Sequence, residues 1–385
     1  RLLNNDRLEQ KVFHAPLPDV KKLRSPYEYY NSEDLAHRVI YVEASRGCPF
    51  KCEFCLSSLD IPVRPFDTSK FMNDMEDLMK RGVTRFKFVD RTFNLSTQTG
   101  LKLLTFFLER YREGMFLHFE MIPDRLPVEL REQISQFPKG ALQFEIGIQT
   151  FNPEVATRIH RRQNYSQIDG NLLYLKKQTG VYLHVDLIVG LPGEDLESFG
   201  SGFDHLVSLR PHEIQVGILK RLKGTPIGRH DEPWGMCYND QPPFDLLFNH
   251  SLNFQTMQRL KRFARYWDLT ANSGRFGQSV TLIWENSESP FREFMKWSDW
   301  LYSKIGRSHS IGLTSLMKFL LEYLVSDKDI PDQQVAESIL DDYRNTGHLD
   351  TPRFLAKHLP KEINSGRYQK LKISPFTKRQ HRHIR

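Results

Sequence analysis

From Arg38 onward the chain alternates short β-rich runs with longer segments of helical spacing. Val39 to Ser45 reads as a strand. Between Ser69 and Arg81 the apolar positions Phe71, Met72, Met75, Leu78 and Met79 fall three and four residues apart, which is one face of a helix. Further strands are predicted over Thr84 to Val89, Phe116 to Met121, Ala141 to Ile148, Tyr182 to Val189 and Glu213 to Leu219. The helices between them are predicted over Thr97 to Tyr111, Pro127 to Gln136, Ser166 to Gln178 and Leu196 to Leu209. Pro127 suits a first helical turn. Gly180 is expected to end its helix as a left-handed cap. Six strands separated by five helices are repeated βαβ units, so the sheet should be parallel. Right-handed crossovers of one sense curl such a sheet toward a barrel. Six strands do not complete the eight of a full barrel. The expected fold class is therefore α/β, a partial (β/α)6 barrel. A flat doubly wound sheet is the competing reading, weakened because no dinucleotide glycine fingerprint follows the first strand.

On either side of this core the texture differs. Residues 1–38 are polar, with Pro16, Pro18 and Pro26 and no clear period, and read as a lead-in or linker. After Lys220 a run rich in glycine and proline makes a long connection. Residues 244 to about 345 are then mainly helical in pattern, as in Leu252 to Asp268, Ser308 to Val325 and Gln333 to Thr346. The expected division is a lead-in (1–38), a core (39–225) and a helical C-terminal domain with a basic tail (226–385), the helical part covering the barrel mouth.

Composition narrows the partners. The net charge of +7 suits an anionic partner such as nucleic acid or a phosphorylated substrate, although part of it sits in the tail from Lys378 to Arg385. No stretch approaches the ~20 consecutive apolar residues of a membrane span. The opening segment is polar and without an apolar run, so no signal peptide is read there. The chain begins with Arg1 rather than Met, so an upstream segment is expected. Of the four cysteines, three lie within eight residues and Cys237 is far from them. Clustered thiols are not a disulfide framework; they point to a metal site in a reducing cytoplasm. Isolated Cys237 reads as a small core or loop residue, with a reactive thiol as the alternative.

Cys48-Pro-Phe-Lys-Cys52-Glu-Phe-Cys55 follows the first strand directly, after Arg46-Gly47. In β/α barrels, loops at the carboxyl ends of strands carry the chemistry. An ordinary [4Fe-4S] cluster takes four thiolates, and three would leave one iron open. A zinc ribbon would need a second cysteine or histidine pair. Lys51 and Glu53 between the thiols argue against buried structural cysteines. The C-x3-C-x2-C spacing resembles the radical S-adenosylmethionine (SAM) superfamily. That resemblance implies a [4Fe-4S] cluster on Cys48, Cys52 and Cys55, with SAM chelated at the open iron and cleaved to a 5′-deoxyadenosyl radical. It also implies an electron donor such as flavodoxin or ferredoxin.

Other segments extend the resemblance and imply further cofactor contacts. Phe54 matches an aromatic residue near the adenine. Asp90, at the end of strand two, takes the place of an acidic segment that receives the SAM ammonium; a turn or helix-cap role is its alternative. Strand four places Glu145, Gly147 and Gln149 on one face, which is similar to the family's ribose and methionine contact strand. Arg161 suits the SAM carboxylate, with Arg162 as competitor. Gly190-Leu-Pro-Gly193-Glu194 resembles a family turn in which glycines allow close backbone approach. Gln215 lies on the strand that resembles the adenine contact.

The lead-in, the segment Phe88-Val-Asp-Arg-Thr-Phe-Asn94 and the helical tail resemble a narrower group, bacterial radical SAM proteins with a cobalamin-binding domain. No Asp-x-His-x-x-Gly loop for a lower cobalt ligand occurs in this sequence. If cobalamin is supplied from upstream, the resemblance implies methyl transfer to an unactivated carbon or phosphorus. The rival readings are tRNA modification by a related enzyme and a non-catalytic iron-sulfur module.

Overall fold

A computed structural model describes residues 15–360. Six strands form one sheet in which each pairs with the next in chain order: β1 (Ile40–Val42), β2 (Arg85–Phe88), β3 (Phe116–Met121), β4 (Leu142–Gln149), β5 (Tyr182–Val189) and β6 (Glu213–Ile218). All five pairings are parallel. β1 and β6 do not pair with each other, so the barrel stays open.

Alternation along each strand separates two environments. In β5, Leu183, Val185, Leu187 and Val189 are buried against the helices, while His184 and Asp186 on the other face are half-buried. β2 does the same with Phe86 and Phe88 against Lys87. The helix-facing side is the apolar core, where Phe88 stacks on Phe119 at 4.3 Å between ring centroids. The concave side is polar. That is costly unless the groups find partners or a ligand.

The crossover helices are α1 (Thr68–Lys80), α2 (Thr97–Glu109), α3 (Val128–Ser135), α4 (Pro153–Arg158), α5 (Tyr165–Gln178) and α6 (Leu196–Ser208). Asp67, Ser96, Asn152, Asn164 and Asp195 accept backbone N–H bonds at the starts of α1, α2, α4, α5 and α6. These caps fix where each strand-to-helix loop stops at the carboxyl rim. The six-residue α4 is too short to show a periodicity.

Three expectations are corrected. Gly180 is not a left-handed cap, because α5 ends through extended Thr179 (φ −133°). Glycine is needed there because a Cβ would lie 2.4 Å from Lys139 Cα. The described part of the lead-in is not a bare linker. Tyr27 is buried edge-to-face against Phe71, and Ser32–His37 is a helix closed by an Asn31–Asp34 capping box.

The third correction concerns the helical region. Its helices are α7 (Phe254–Leu269), α8 (Pro290–Ile305), α9 (Leu313–Ser326) and α10 (Asp332–Asn345). They pack beside α6 and β6 rather than over the mouth. Asp204 of α6 accepts from Ser289 Oγ (2.5 Å) and Phe291 N (2.6 Å). Asn272 pairs with both the N–H and the C=O of Ile214, at 2.9 Å each, and so covers the β6 edge. None of the residues lining the large mouth cavity comes from beyond Asp186, among the described residues. The basic tail lies outside the described residues.

Candidate functional site

The cysteine loop leaves and returns through a small antiparallel pairing of Ser45–Arg46 with Arg64–Pro65. Its entry requires glycine. Gly47 has φ +98°, and a Cβ there would stand 2.6 Å from the Asp60 carbonyl oxygen. Cys48 N–H donates to that same carbonyl (3.0 Å), and Cys55 N–H donates to Cys52 O (3.2 Å). Cys48 and Cys52 are buried and Cys55 is half-buried; all three are free thiols. They line a cavity of about 1010 Å³ at the carboxyl ends of the strands, together with Phe54, Glu145, Gln149 and Arg161.

Burial pushes the Cys48 thiol above its ordinary value, and the neighbouring Cys52 and Cys55 push the same way. Three thiolates side by side need the charge of a metal centre. No three His, Cys, Asp or Glu side chains among the described residues converge on a position for one metal ion. A cubane cluster instead holds its thiolates at separate irons, further apart than donors around one ion. Three cysteines along one tight loop over an open cavity suit the thiolate ligands of a [4Fe-4S] cluster, whereas a zinc ribbon would need a second cysteine or histidine pair.

Arg161 and Gln149 are placed by the end of β4. Arg161 donates to Gly147 O, to Ile148 O (3.2 Å) and to Gln163 Oε1 (3.1 Å), and its remaining amino group lies 3.4 Å from Cys52 Sγ. Gln149 has φ +74°, a left-handed conformation uncommon for a side-chain-bearing residue. Gly147 leaves room for it, because a Cβ there would lie 2.3 Å from Gln149 Nε2. Arg162 is exposed at the rim, with Lys51 and Arg125.

The cavity floor is the concave face of the sheet. The His118 ring N–H donates to Glu145 at 2.9 Å, and Lys87 Nζ stands 3.7 Å from the same carboxylate. The His118 bond is the largest cause holding Glu145 down to about 2. His118 itself is lowered, mainly by burial. At neutral pH the pair is thus a carboxylate accepting from a neutral imidazole. Arg91 pairs with Glu120 at 2.5 Å, and His184 with Asp186 at 3.1 Å.

Four sequence-expected cofactor contacts are not among the residues lining this cavity. The Asp90 carboxylate is turned to the loop, accepting from Ala44 N (2.9 Å) and Ser45 Oγ (2.7 Å), and it does not line the cavity. Burial raises it to about 6. It holds the strand that leads into the cysteine loop. Gly190 (φ +90°) and Gly193 (φ +80°) serve close packing: a Cβ would meet Leu246 at 2.4 Å and Arg158 Nη1 at 2.3 Å, respectively. Gln215 Oε1, on the concave face beside Asp186, accepts from His184 Nε2 at 3.2 Å. Glu194 is buried with Thr150, and burial lifts it to about 7.

Sequence reasoning missed Glu53. Its charge argues against burial of the flanking thiols, yet Glu53 is 1% exposed and Cys48 and Cys52 are buried beside it. Its carboxylate faces His230 Nε2 (2.7 Å), His160 Nδ1 (2.6 Å) and the Arg229 guanidinium. No local pattern could announce it, since the partners come from distant segments.

An open, parallel β/α sheet whose first loop gathers three thiols over its carboxyl end defines a radical SAM domain. Residues 42–205 match the radical SAM superfamily, and the chain carries that domain there. The fold implies a [4Fe-4S] cluster and SAM. Residues 232–382 match a family described as a protein of unknown function, DUF4080. Among curated proteins, the ribosomal protein uS12 methylthiotransferase RimO of Carboxydothermus hydrogenoformans is 25% identical over 206 residues, covering 49% of this chain and 45% of the relative. RimO of Acetivibrio thermocellus is 27% identical over 236 residues, covering 58% and 50%. The chain therefore spans about half the length of these curated relatives. Among solved structures, the cobalamin-dependent SAM radical enzyme OxsB with aqua-cobalamin bound shares the fold. Its TM-score is 0.50 at 14% identity, covering 90% of this chain and 58% of that one.

Proposed function

We propose that residues 39–225 form the catalytic core of an enzyme that cleaves SAM reductively, with Cys48, Cys52 and Cys55 as the cluster ligands. The observation that carries this reading is three free thiols on one Gly47-gated loop lining a single cavity, with Arg161 against the Cys52 sulfur. When bound, the cluster supplies one electron to SAM. The chain's own residues bind and orient. Arg161 is fixed by two carbonyls and Gln163, so its free edge presents positive charge toward the cavity at no further ordering cost. Gln149 and Glu145 offer polar groups for a ribose or an ammonium, and Phe54 an apolar face for a base. Asp90, Gly190 and Gly193 act behind the cavity wall, holding the loops that form it, while exposed Gln215 contacts His184 on the concave face. The external electron would come from a small donor protein such as flavodoxin or ferredoxin.

The finer reading is cobalamin-assisted methyl transfer, prompted by the fold shared with OxsB, with the helical C-terminal region as a domain distinct from the core. The rival is modification of RNA or a ribosomal protein, prompted by the RimO relatives and by Lys51, Arg125 and Arg162 exposed at the rim. Anaerobic reconstitution with iron and sulfide should give the absorbance of a [4Fe-4S] cluster and, with SAM and reductant, 5′-deoxyadenosine or S-adenosylhomocysteine. Cys48→Ala should abolish both. A variant that keeps the cluster, or a parent that binds only zinc, would falsify the proposal.

A further inference from the structure

Glu53 sits between two of the three thiols, yet its side chain does not line the cavity. It points away from it, toward two imidazoles and a guanidinium from two other parts of the chain. His160 comes from the segment after α4, one residue before Arg161. Arg229 and His230 come from the 3-10 turn Pro226–His230, which follows the last barrel strand. The backbone of the same residue is gripped on both sides: Glu53 N–H donates to Ile159 O (3.2 Å), and Ile227 N–H donates to Glu53 O (3.1 Å). A carboxylate that is 1% exposed is tolerable only when paired. Arg229 provides a cation at every physiological pH.

We propose that Glu53 is a positioning residue that clamps the cysteine loop between the Ile159–Arg161 segment and the Pro226–His230 turn, so that the thiols and Arg161 are held in one frame. The inference rests on the cluster assignment above for its metal readouts but not for its structural one. Four contacts converge on one residue of the loop: a side-chain contact and a backbone hydrogen bond to each flanking segment. Cutting the carboxylate's charge therefore releases the loop from both sides together. The connection into the helical region begins at the same turn, so the position of that turn is set by the cysteine loop rather than by the connection alone.

The test compares the parent with Glu53→Gln, which preserves shape and removes charge, and with Arg229→Gln, which breaks the pair from the half-exposed partner. In the metal-free proteins, hydrogen exchange at the amides of Glu53 and Ile227 should accelerate in both variants, while amides of β4 and β5 stay protected. After reconstitution, the variants should lose iron to a chelator about tenfold faster than the parent, in line with the cost of removing groups that support metal ligands. The cluster's reduction potential should rise in Glu53→Gln, because a negative charge near the cluster has been lost. Exchange and iron release unchanged from the parent in both variants would overturn the clamp. If Glu53→Gln does not fold, Arg229→Gln decides the question alone. If the parent takes up no iron, the cluster assignment fails, and the exchange data still support or refute the clamp.

Discussion

The concave face of the barrel and the interior of the helical region bury side chains for opposite reasons. In the helical region, Phe263, Phe294 and Trp297 are fully buried and pack ring on ring, Phe263 against Phe294 and Phe294 against Trp297 at 5.1 Å each. Phe291 extends that aromatic cluster to Gly200 of α6, where a Cβ would meet its ring at 2.6 Å. The concave face instead carries half-buried Lys87, Glu120, Glu145, His184 and Asp186 around buried His118, held by one another and by Arg91. Apolar surface removed from water stabilises the first region without requiring any particular geometry. The second is stable only while each charge keeps its partner, and it leaves a cavity facing three thiols. The barrel interior is built for ligands and the helical region for adhesion.

That contrast can be broken experimentally, beginning with the helical core. Trp297→Ala should cost about 3–5 kcal/mol of unfolding free energy, because the surrounding rings cannot close over so large a cavity. Denaturant titration measures it, and cluster uptake by the folded fraction should be unaffected. A loss under 1 kcal/mol would show that the aromatic layer is not the anchor that its packing describes.

Glu145 comes next. Its folded-state value of about 2 lies below its ordinary 4.5. Its stabilisation is therefore complete above pH 4.5 and is lost as pH falls through about 2. The shift corresponds to about 3 kcal/mol. Glu145→Gln should flatten the stability profile in that acid window and leave the neutral range nearly level. An unchanged acid profile would remove the His118 pair from the account.

The smallest expected effect is at the cysteine loop's approach. Ser45→Ala removes one of the bonds to Asp90 and should cost about 1 kcal/mol. Asp90 stands at about 6, above its ordinary value. Its contribution is present in acid and is lost as pH rises through about 6. Ser45→Ala should deepen that loss, seen as a steeper fall in melting temperature between pH 5 and 7. A parallel profile would place the carboxylate's support in the Ala44 amide alone.

Much of this was legible in the amino-acid order because it is local. Strand and helix periods run over neighbouring residues, so β3 and β5 were placed to the residue from alternation alone. The spacing of Cys48, Cys52 and Cys55 is equally local and carried the expected chemistry, while the count of six strands carried the open barrel. The site's remaining members were legible only in kind. Glu145, Gln149 and Arg161 were expected in the cavity and line it, whereas Asp90 was expected there and turns toward Ala44 and Ser45. A carboxylate at the end of a strand reads the same in either orientation, because the loop that receives it lies 45 residues away.

The chain's order alone therefore determined the parallel β/α alternation, the three-thiol loop after the first strand and the helical character of the later region. Only the folded arrangement decided that Glu53 is buried among His160, Arg229 and His230, that Gly180 makes room for Lys139, and that the later helices lie beside α6 and β6 instead of over the mouth. Periodicity and motif spacing are properties of neighbours along the chain. Charge pairing and close packing depend on which distant segments meet, and that is settled only when the whole core closes.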